Sequence, residues 1–159
     1  PAAATAFAAE AEAMGLRVEI CDAPAGVCEG AGVVVSAISM VPGAPPPLGA
    51  GLLERGALAV ALDYDAAWSP EAMAACERFV TDDRAQTLAT RAHGPRLGGI
   101  PQHISADLGE VVAGRAAGRS SPEQRVFCLN LGIAVEDVVC ARLVYERARK
   151  LGLGTTVPR

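Results

Sequence analysis

The sequence predicts an α/β domain in which helices cover both faces of a parallel sheet. Two apolar runs, Val33–Ile38 and Ala57–Leu62, have the length and composition of buried strands. Helix-forming segments lie around them, and strands that alternate with helices are typical of a parallel sheet. With 159 residues, of which 51% are hydrophobic and 20% charged, the chain has enough apolar side chains to form a packed core.

The first part of the chain begins with an alanine-rich segment, Ala2–Met14, which predicts a helix ended by Gly15. Arg17–Cys21 alternates in polarity and predicts a short strand. Val33–Ile38 is β-branched and almost wholly apolar, which predicts a strand buried on both faces. The proline-rich segment Val41–Leu48 predicts a loop.

The middle of the chain predicts two further strands and one helix. Gly51–Arg55 is expected to form one helical turn, and Ala57–Leu62 follows it as a strand. Ser69 is placed to cap a helix that starts with Pro70. Arg78–Thr81 predicts the next strand.

Two helices are predicted in the last third of the chain. Asp107–Glu110 has the Asp-x-x-Glu pattern of a capping box, and Gly114 is placed to end that helix. A longer helix is expected from about Gly132 to Leu151, with Asn130 placed to cap it and Gly152 to end it. Its apolar residues recur every three or four positions, which predicts a buried stripe. The stripe comprises Ala134, Val138, Ala141, Tyr145 and Ala148.

Charge and cysteine content exclude several classes of protein. The net charge of −4 does not provide the basic face that nucleic-acid binding needs. The five cysteines form no Cys-x-x-Cys pair, which favours reduced, mostly buried thiols, a cytoplasmic protein and no metal site. No apolar run reaches the ~20 residues of a membrane span.

Polar residues follow the predicted strands, in Ser36–Ser39, Asp63–Asp65 and Asp82–Asp83. The carboxyl ends of parallel strands share one edge of a sheet, which is where ligands bind in such folds. Residues two apart in an extended chain point to the same side, so the carboxylates of Asp63 and Asp65 are expected within ~7 Å of each other. A carboxyl group in such a pair can donate and take back a proton.

Two other interpretations of Asp63 and Asp65 stay open. In the first, both side chains only end the strand, facing water or capping the next turn. In the second, the apolar strand and its Asp-x-Asp sequence resemble haloacid-dehalogenase-like phosphatases, which bind magnesium between two aspartates. Ala67 stands where that pattern normally has Thr or Val.

Four segments occur in a characteristic order in the last third of the chain: Ala106–Arg115, Gly118–Ser121, Leu131–Val139 and Ala141–Ala148. Together they resemble the carboxyl end of the ornithine cyclodeaminase and mu-crystallin family, whose members handle NAD(P) and small amino or imino acids. The resemblance extends over most of the chain.

Members of that family combine a Rossmann-like dinucleotide-binding domain with an N-terminal domain that carries dimer contacts and much of the substrate pocket. The resemblance implies that residues 1–159 are a single, partial NAD(P)-binding domain, truncated at the N-terminus and closed by the long helix at about 132–151. No Gly-x-Gly-x-x-Gly sequence follows a predicted strand, since Gly30–Gly32 and Gly49–Gly51 both precede strands. The resemblance places that loop before Pro1, so we expect the 159 residues alone to lack turnover.

The same resemblance implies the site residues. Asp65 occupies the place of the catalytic aspartate, and Leu131 is placed toward the substrate. Cofactor contacts are implied for Ser36, Ala37, Leu62, Asp63, Tyr64 and Asn130. The sequence departs from the family at Ala66–Ser69, where many members have Pro-Gly-Lys with a cofactor-contacting lysine, and at Asn130, where many have a serine near the nicotinamide.

The activity that the resemblance implies is hydride transfer between the Cα of an amino acid and NAD or NADP, through an imine. An ornithine cyclodeaminase would convert ornithine to proline and ammonia, whereas a related ketimine reductase or alanine dehydrogenase would transfer the hydride once. The expected protein is a homodimer that acts on a small amino or imino acid. The magnesium-dependent phosphatase and a non-catalytic binding protein, a role found among mu-crystallins, remain alternatives.

Overall fold

Five parallel strands form one sheet in the computed structural model, which describes residues 2–155 and 157. The strands are β1 (Val33–Ser36), β2 (Leu58–Ala61), β3 (Arg78–Thr81), β4 (Ala106–Asp107) and β5 (Val126–Leu129). They lie in the order β1-β2-β5-β3-β4, and every pairing is parallel. The last strand in sequence therefore inserts between β2 and β3 at the centre of the sheet.

Helices contact both faces of this sheet, which confirms the predicted α/β fold class. Met73 packs in the larger core on one face, and Val111 packs against the smaller cluster on the other. The helices are α1 (Ala2–Ala13), α2 (Pro24–Cys28), α3 (Pro70–Ala74), α4 (Arg84–His93), α5 (Leu108–Val112) and α6 (Ala134–Leu151). Within the described residues, none of these helices combines the length and apolar character that crossing a bilayer requires.

The central strand β5 anchors the larger core. Its Phe127 ring stacks on Phe79, with centroids 5.3 Å apart, and meets the edge of Trp68 at 5.6 Å. Each aromatic pair of this kind contributes about 0.5–1.5 kcal/mol beyond the area it buries. Because Trp68 lies just beyond the β2 strand end, this packing fixes the loop that carries Asp63 and Asp65 against the sheet.

Local sequence signals located several elements correctly. β3 has the predicted bounds, α1 forms where the alanine-rich segment predicts it, and Val41–Leu48 is irregular. The Ser69 hydroxyl accepts the Ala72 N–H at 3.2 Å as a helix cap. The Asp107–Glu110 capping box is present, and Gly152, with φ 66°, ends α6.

Three predictions for the first part of the chain are wrong. Arg17–Cys21 forms no strand, because no described residue pairs with its backbone. Val33 and Val35 of β1 are 59% and 58% exposed, since β1 is an edge strand and this side of it is not covered by described residues. Gly51–Arg55 forms no helical turn. Gly51 has φ 85°, and one turn would order several residues for a single hydrogen bond.

The buried stripe predicted for α6 is also wrong. Within the described part of the chain α6 has no buried residue, although Ala148 is half-buried. A periodic pattern identifies the face that a helix can bury but not the element that covers it. No described element covers this face.

Four elements are absent from the sequence predictions: α2, β4, α4 and β5. The four residues of β5 are all buried, and a short apolar run of this kind does not distinguish a strand from a helix segment. α4 is capped by Asp83, whose carboxylate accepts the Gln86 N–H at 2.8 Å. That Asp-x-x-Gln spacing was the available signal.

Candidate active site at the carboxyl edge of the sheet

The carboxyl ends of the strands meet in register. Ser36 of β1 pairs with Ala61 of β2, which pairs with Leu129 of β5, which pairs in turn with Thr81 of β3. The segments that follow these residues therefore leave the sheet side by side. This register brings the predicted site residues of segments 36–37, 62–65 and 130–131 to one edge of the sheet.

Asp63 points into the protein beneath this edge. It is 4% exposed, and its Oδ1 accepts the Ser36 hydroxyl at 3.0 Å while Oδ2 accepts the Ile38 N–H at 3.0 Å. Ser36, 5% exposed, also accepts the Trp68 indole N–H at 3.1 Å. Hydrogen bonds to a charged acceptor offset the cost of burying it. Asp63 thus ties the loop after β1 to the turn after β2.

Asp65 points toward a different loop. Its Oδ2 accepts the Leu97 N–H at 2.7 Å, and its Oδ1 lies 3.4 Å from Nη1 of Arg96. The Asp65 side chain is 20% exposed. Because Tyr64 has φ 58°, the backbone turns between Asp63 and Asp65, and the extended geometry predicted for them is wrong.

Backbone strain is concentrated around Asp65. In the described ranges, Tyr64 and Leu97 are the two non-glycine residues with positive φ, at 58° and 66°. Tyr64 directly precedes Asp65, and Leu97 donates to its carboxylate. Such conformations cost about 1–3 kcal/mol each and persist where the surrounding structure holds them. Leu97 is fully buried, which supplies part of that support.

The turn after β5 is held to neighbouring strands. The Asn130 N–H donates to the Ala61 carbonyl at 2.9 Å. The predicted capping role of Asn130 is wrong, because α6 starts four residues later with Ile133 as its N-cap and no side-chain cap. Leu131 is half-buried against the larger core.

A thiol lies beside this turn. The Cys128 Sγ donates to Oδ1 of Asn130 at 3.6 Å, which is within the longer range of sulfur hydrogen bonds. Burial raises the pKa of the Cys128 thiol, so it stays protonated at neutral pH.

The magnesium alternative has no support in this geometry. Among residues 2–155 and 157, no cluster of three or more histidine, cysteine, aspartate or glutamate side chains is arranged to hold a metal ion. Asp63 and Asp65 instead accept hydrogen bonds from two different loops.

A protein-family comparison decides the family. The model of the ornithine cyclodeaminase/mu-crystallin family matches residues 1–152. The chain belongs to this family. The resemblance drawn from the last third of the sequence is therefore confirmed.

The matches between this family member and its relatives cover only part of each relative's length. The Rhizobium meliloti nodulation efficiency protein NfeD is 37% identical over 93 residues, which are 57% of this chain and 28% of that protein. A Δ1-pyrroline-2-carboxylate reductase of Bacillus cereus is 39% identical over 54 residues, 34% of this chain and 17% of the reductase.

A solved structure shares the fold of this family member. The Thermococcus litoralis Δ1-pyrroline-2-carboxylate reductase, solved in complex with NADH and L-proline, superposes with a TM-score of 0.82 at 24% identity. The match covers 99% of this chain and 50% of the reductase, so the chain spans about half the length of that relative. The predicted Rossmann-like fold is confirmed.

Sequence reasoning about this family member missed several residues of the site. Arg96 and Leu97 contact Asp65 although they lie 31 and 32 residues further along the chain. No local sequence pattern predicts that contact. Asp82 was expected at this edge but was given no role. Its Oδ2 accepts the N–H groups of Leu131 and Gly132 at 2.7 and 2.6 Å.

Proposed function

We propose that the protein is an NAD(P)-dependent enzyme of small amino or imino acids, an ornithine cyclodeaminase or a related ketimine reductase or alanine dehydrogenase. The observation that carries the proposal is the partly exposed Asp65 carboxylate at the carboxyl edge of a Rossmann-like sheet in a member of this family. We further propose that residues 1–159 are one partial dinucleotide-binding domain of a cytoplasmic homodimer.

The residues at this edge fit a flat nicotinamide ring. Leu62 is 54% exposed and Ala37 is also exposed, so together they offer an apolar surface beside the strand ends. Among the described residues no group accepts from the Asn130 amide nitrogen, which leaves it able to donate to a polar ring substituent. We assign cofactor contact to Ala37, Leu62, Tyr64 and Asn130, with Ser36 and Asp63 supporting them from below.

The nicotinamide would supply the place to which a hydride moves from the Cα of the substrate. The amino acid then becomes an imine, and the proton that leaves its nitrogen is taken by Asp65. In a cyclodeaminase the side-chain amine would add to that imine carbon, and Asp65 would return the proton to the α-nitrogen, which leaves as ammonia. The cyclic imine that remains would be reduced at Cα to proline by the hydride that the cofactor supplies. In a ketimine reductase a free cyclic imine would accept one hydride from the cofactor. In an alanine dehydrogenase the amino acid would give one hydride to the cofactor, and water would hydrolyse the resulting imine to a keto acid and ammonia.

Asp65 suits this role because one of its oxygens can change partner. Its Oδ2 is fixed by a short bond to Leu97, whereas the 3.4 Å contact of Oδ1 with Arg96 is long for a hydrogen bond. A substrate amine at the strand ends can compete for Oδ1 without breaking the bond that orients the carboxylate. Asp63 and Asp82 have no comparably exposed oxygen.

The experiment is to assay the complete purified protein with NAD⁺ or NADP⁺ and ornithine, alanine or proline, following reduced nicotinamide by absorbance and proline by chromatography. The reverse reaction uses Δ1-pyrroline-2-carboxylate with NADH or NADPH. Asp65→Asn should lower turnover at least ~100-fold while cofactor affinity changes little. Asp22→Asn carries the same charge change at an exposed position outside the assigned residues and should leave turnover unaffected.

Three results would contradict the proposal. Unchanged turnover in Asp65→Asn removes the proton role of that residue. Nicotinamide binding without turnover on any of these substrates indicates the non-catalytic binding protein instead. Activity on phosphate esters that requires magnesium and no nicotinamide would revive the phosphatase.

A further inference from the structure

The turn Asn130–Ile133 links β5 to α6. It carries Asn130, which we assign to nicotinamide, and Leu131, which the family resemblance places toward the substrate. Within the described part of the chain, α6 has no buried residue, although Ile133 at its N-cap is half-buried. Asn130 is fixed by the bond of its N–H to Ala61. The hydrogen bonds that hold Leu131 and Gly132 come from side chains of other elements.

Asp82 accepts hydrogen bonds from two backbone N–H groups of this turn. One oxygen, Oδ2, accepts both the Leu131 N–H at 2.7 Å and the Gly132 N–H at 2.6 Å. The other oxygen accepts the Thr81 hydroxyl at 3.1 Å and the Asp83 N–H at 2.9 Å. Asp82 is 9% exposed. Four donors thus fix the carboxylate, and two of them belong to the turn.

Gln86 donates a hydrogen bond to a backbone carbonyl of the same turn. Its Nε2 donates to the Gly132 carbonyl at 2.9 Å across an exposed part of the edge. Gly132 has φ 83°, a left-handed conformation that glycine adopts without strain. Asp82 and Gln86 therefore hold Gly132 by its N–H and its C=O, and with it the place of Leu131.

We propose that Asp82 and Gln86 are positioning residues for the amino or imino acid substrate, an inference that rests on the proposed function. They act through the backbone of Leu131 and Gly132 and leave Asn130, which β2 holds, in place. Loosening the turn should therefore weaken the productive placement of substrate more than the binding of nicotinamide.

The test compares two variants with two matched controls in the complete protein. Asp82→Asn places an amide nitrogen against backbone N–H groups and should raise the substrate KM about 10- to 100-fold. Gln86→Ala removes one exposed neutral hydrogen bond and should raise KM about 3- to 10-fold. The controls are Asp22→Asn, which makes the same charge change at an exposed position, and Gln102→Ala, whose side chain contacts Arg91 away from the turn.

Three quantities are measured for each variant: the substrate KM, the dissociation constant of NADH by fluorescence titration, and the melting temperature. We expect KM to rise in both variants with NADH affinity within about threefold of wild type, and with the melting temperature of Gln86→Ala unchanged. If Asp82→Asn fails to fold, Gln86→Ala still decides. A purely structural role predicts a lower melting temperature in Asp82→Asn and no change of KM in Gln86→Ala, and this result overturns the inference alone. An inactive wild-type protein overturns the proposed function and this inference with it.

Discussion

Asp63→Asn tests whether the buried carboxylate holds the site together. In the native protein its two oxygens accept one bond each, from Ser36 and from the Ile38 N–H. An asparagine oxygen can keep one of these donors, but its NH₂ group then faces the other. Ser36 also accepts from Trp68, so its hydroxyl hydrogen would lose its acceptor.

The expected loss of stability follows from the number of hydrogen bonds that the substitution removes. Hydrogen bonds to charged groups contribute about 1.5–3 kcal/mol, so losing one of the two should lower the free energy of unfolding by about 2 kcal/mol. For a chain of 159 residues this corresponds to a melting temperature lower by about 4–8 °C. Urea denaturation can be followed by the fluorescence of Trp68, the one tryptophan of the chain, which is 1% exposed beside the substituted residue.

Asp22→Asn is the matched control, because it makes the same charge change at an exposed position. It should change the free energy of unfolding by less than about 0.5 kcal/mol. If Asp63→Asn proves as stable as this control, the carboxylate does not tie the two loops together and the reasoning fails.

Two further predictions concern residues outside the site. The Arg125 hydrogen bond lowers the pKa of Glu77 to about 2 from an ordinary value of 4.5. The stabilisation of the folded protein by the ionised Glu77 side chain is therefore present above pH 4.5 and lost as the pH falls toward 2. Glu77→Gln should flatten this loss of unfolding free energy in urea titrations across the same pH range. Gly56 has φ 80°, and a Cβ there would lie 2.6 Å from the Pro122 carbonyl oxygen. Gly56→Ala should thus destabilise by at least about 1 kcal/mol in thermal unfolding, whereas Gly49→Ala, in open space, should have little effect.

The elements that the sequence predicted correctly are those with local physical causes. Ser69 caps α3 because its hydroxyl reaches an amide three residues along the chain, and Gly152 ends α6 because it adopts a left-handed conformation without strain. The bounds of β3 follow from a short run with strand-forming residues between turn signals. In each case the interacting groups lie within a few residues of one another.

The features that the sequence could not supply depend on distant groups. The left-handed conformation of Tyr64 is not encoded by its residue type, and the bond from Leu97 to Asp65 joins residues 32 apart. The reach of Asp82 to Leu131 spans 49 residues. Similarly, the exposure of Val33 and Val35 depends on which elements cover that face of the sheet, and the composition of one strand does not contain that information.

The three aspartates at the carboxyl edge of the sheet all accept a backbone N–H from another element, but they differ in the exposure of their oxygens. Asp63, Asp65 and Asp82 each accept a backbone N–H from a connection that belongs to another element, so that carboxylate-to-amide bonds join the loops after β1, α4 and β5 to the strand ends. The oxygens of Asp63 and Asp82 are buried and occupied. Asp65 keeps one oxygen in a long, partly exposed contact with an arginine. A proton acceptor for substrate must be both oriented and reachable, and of these three only Asp65 meets both conditions.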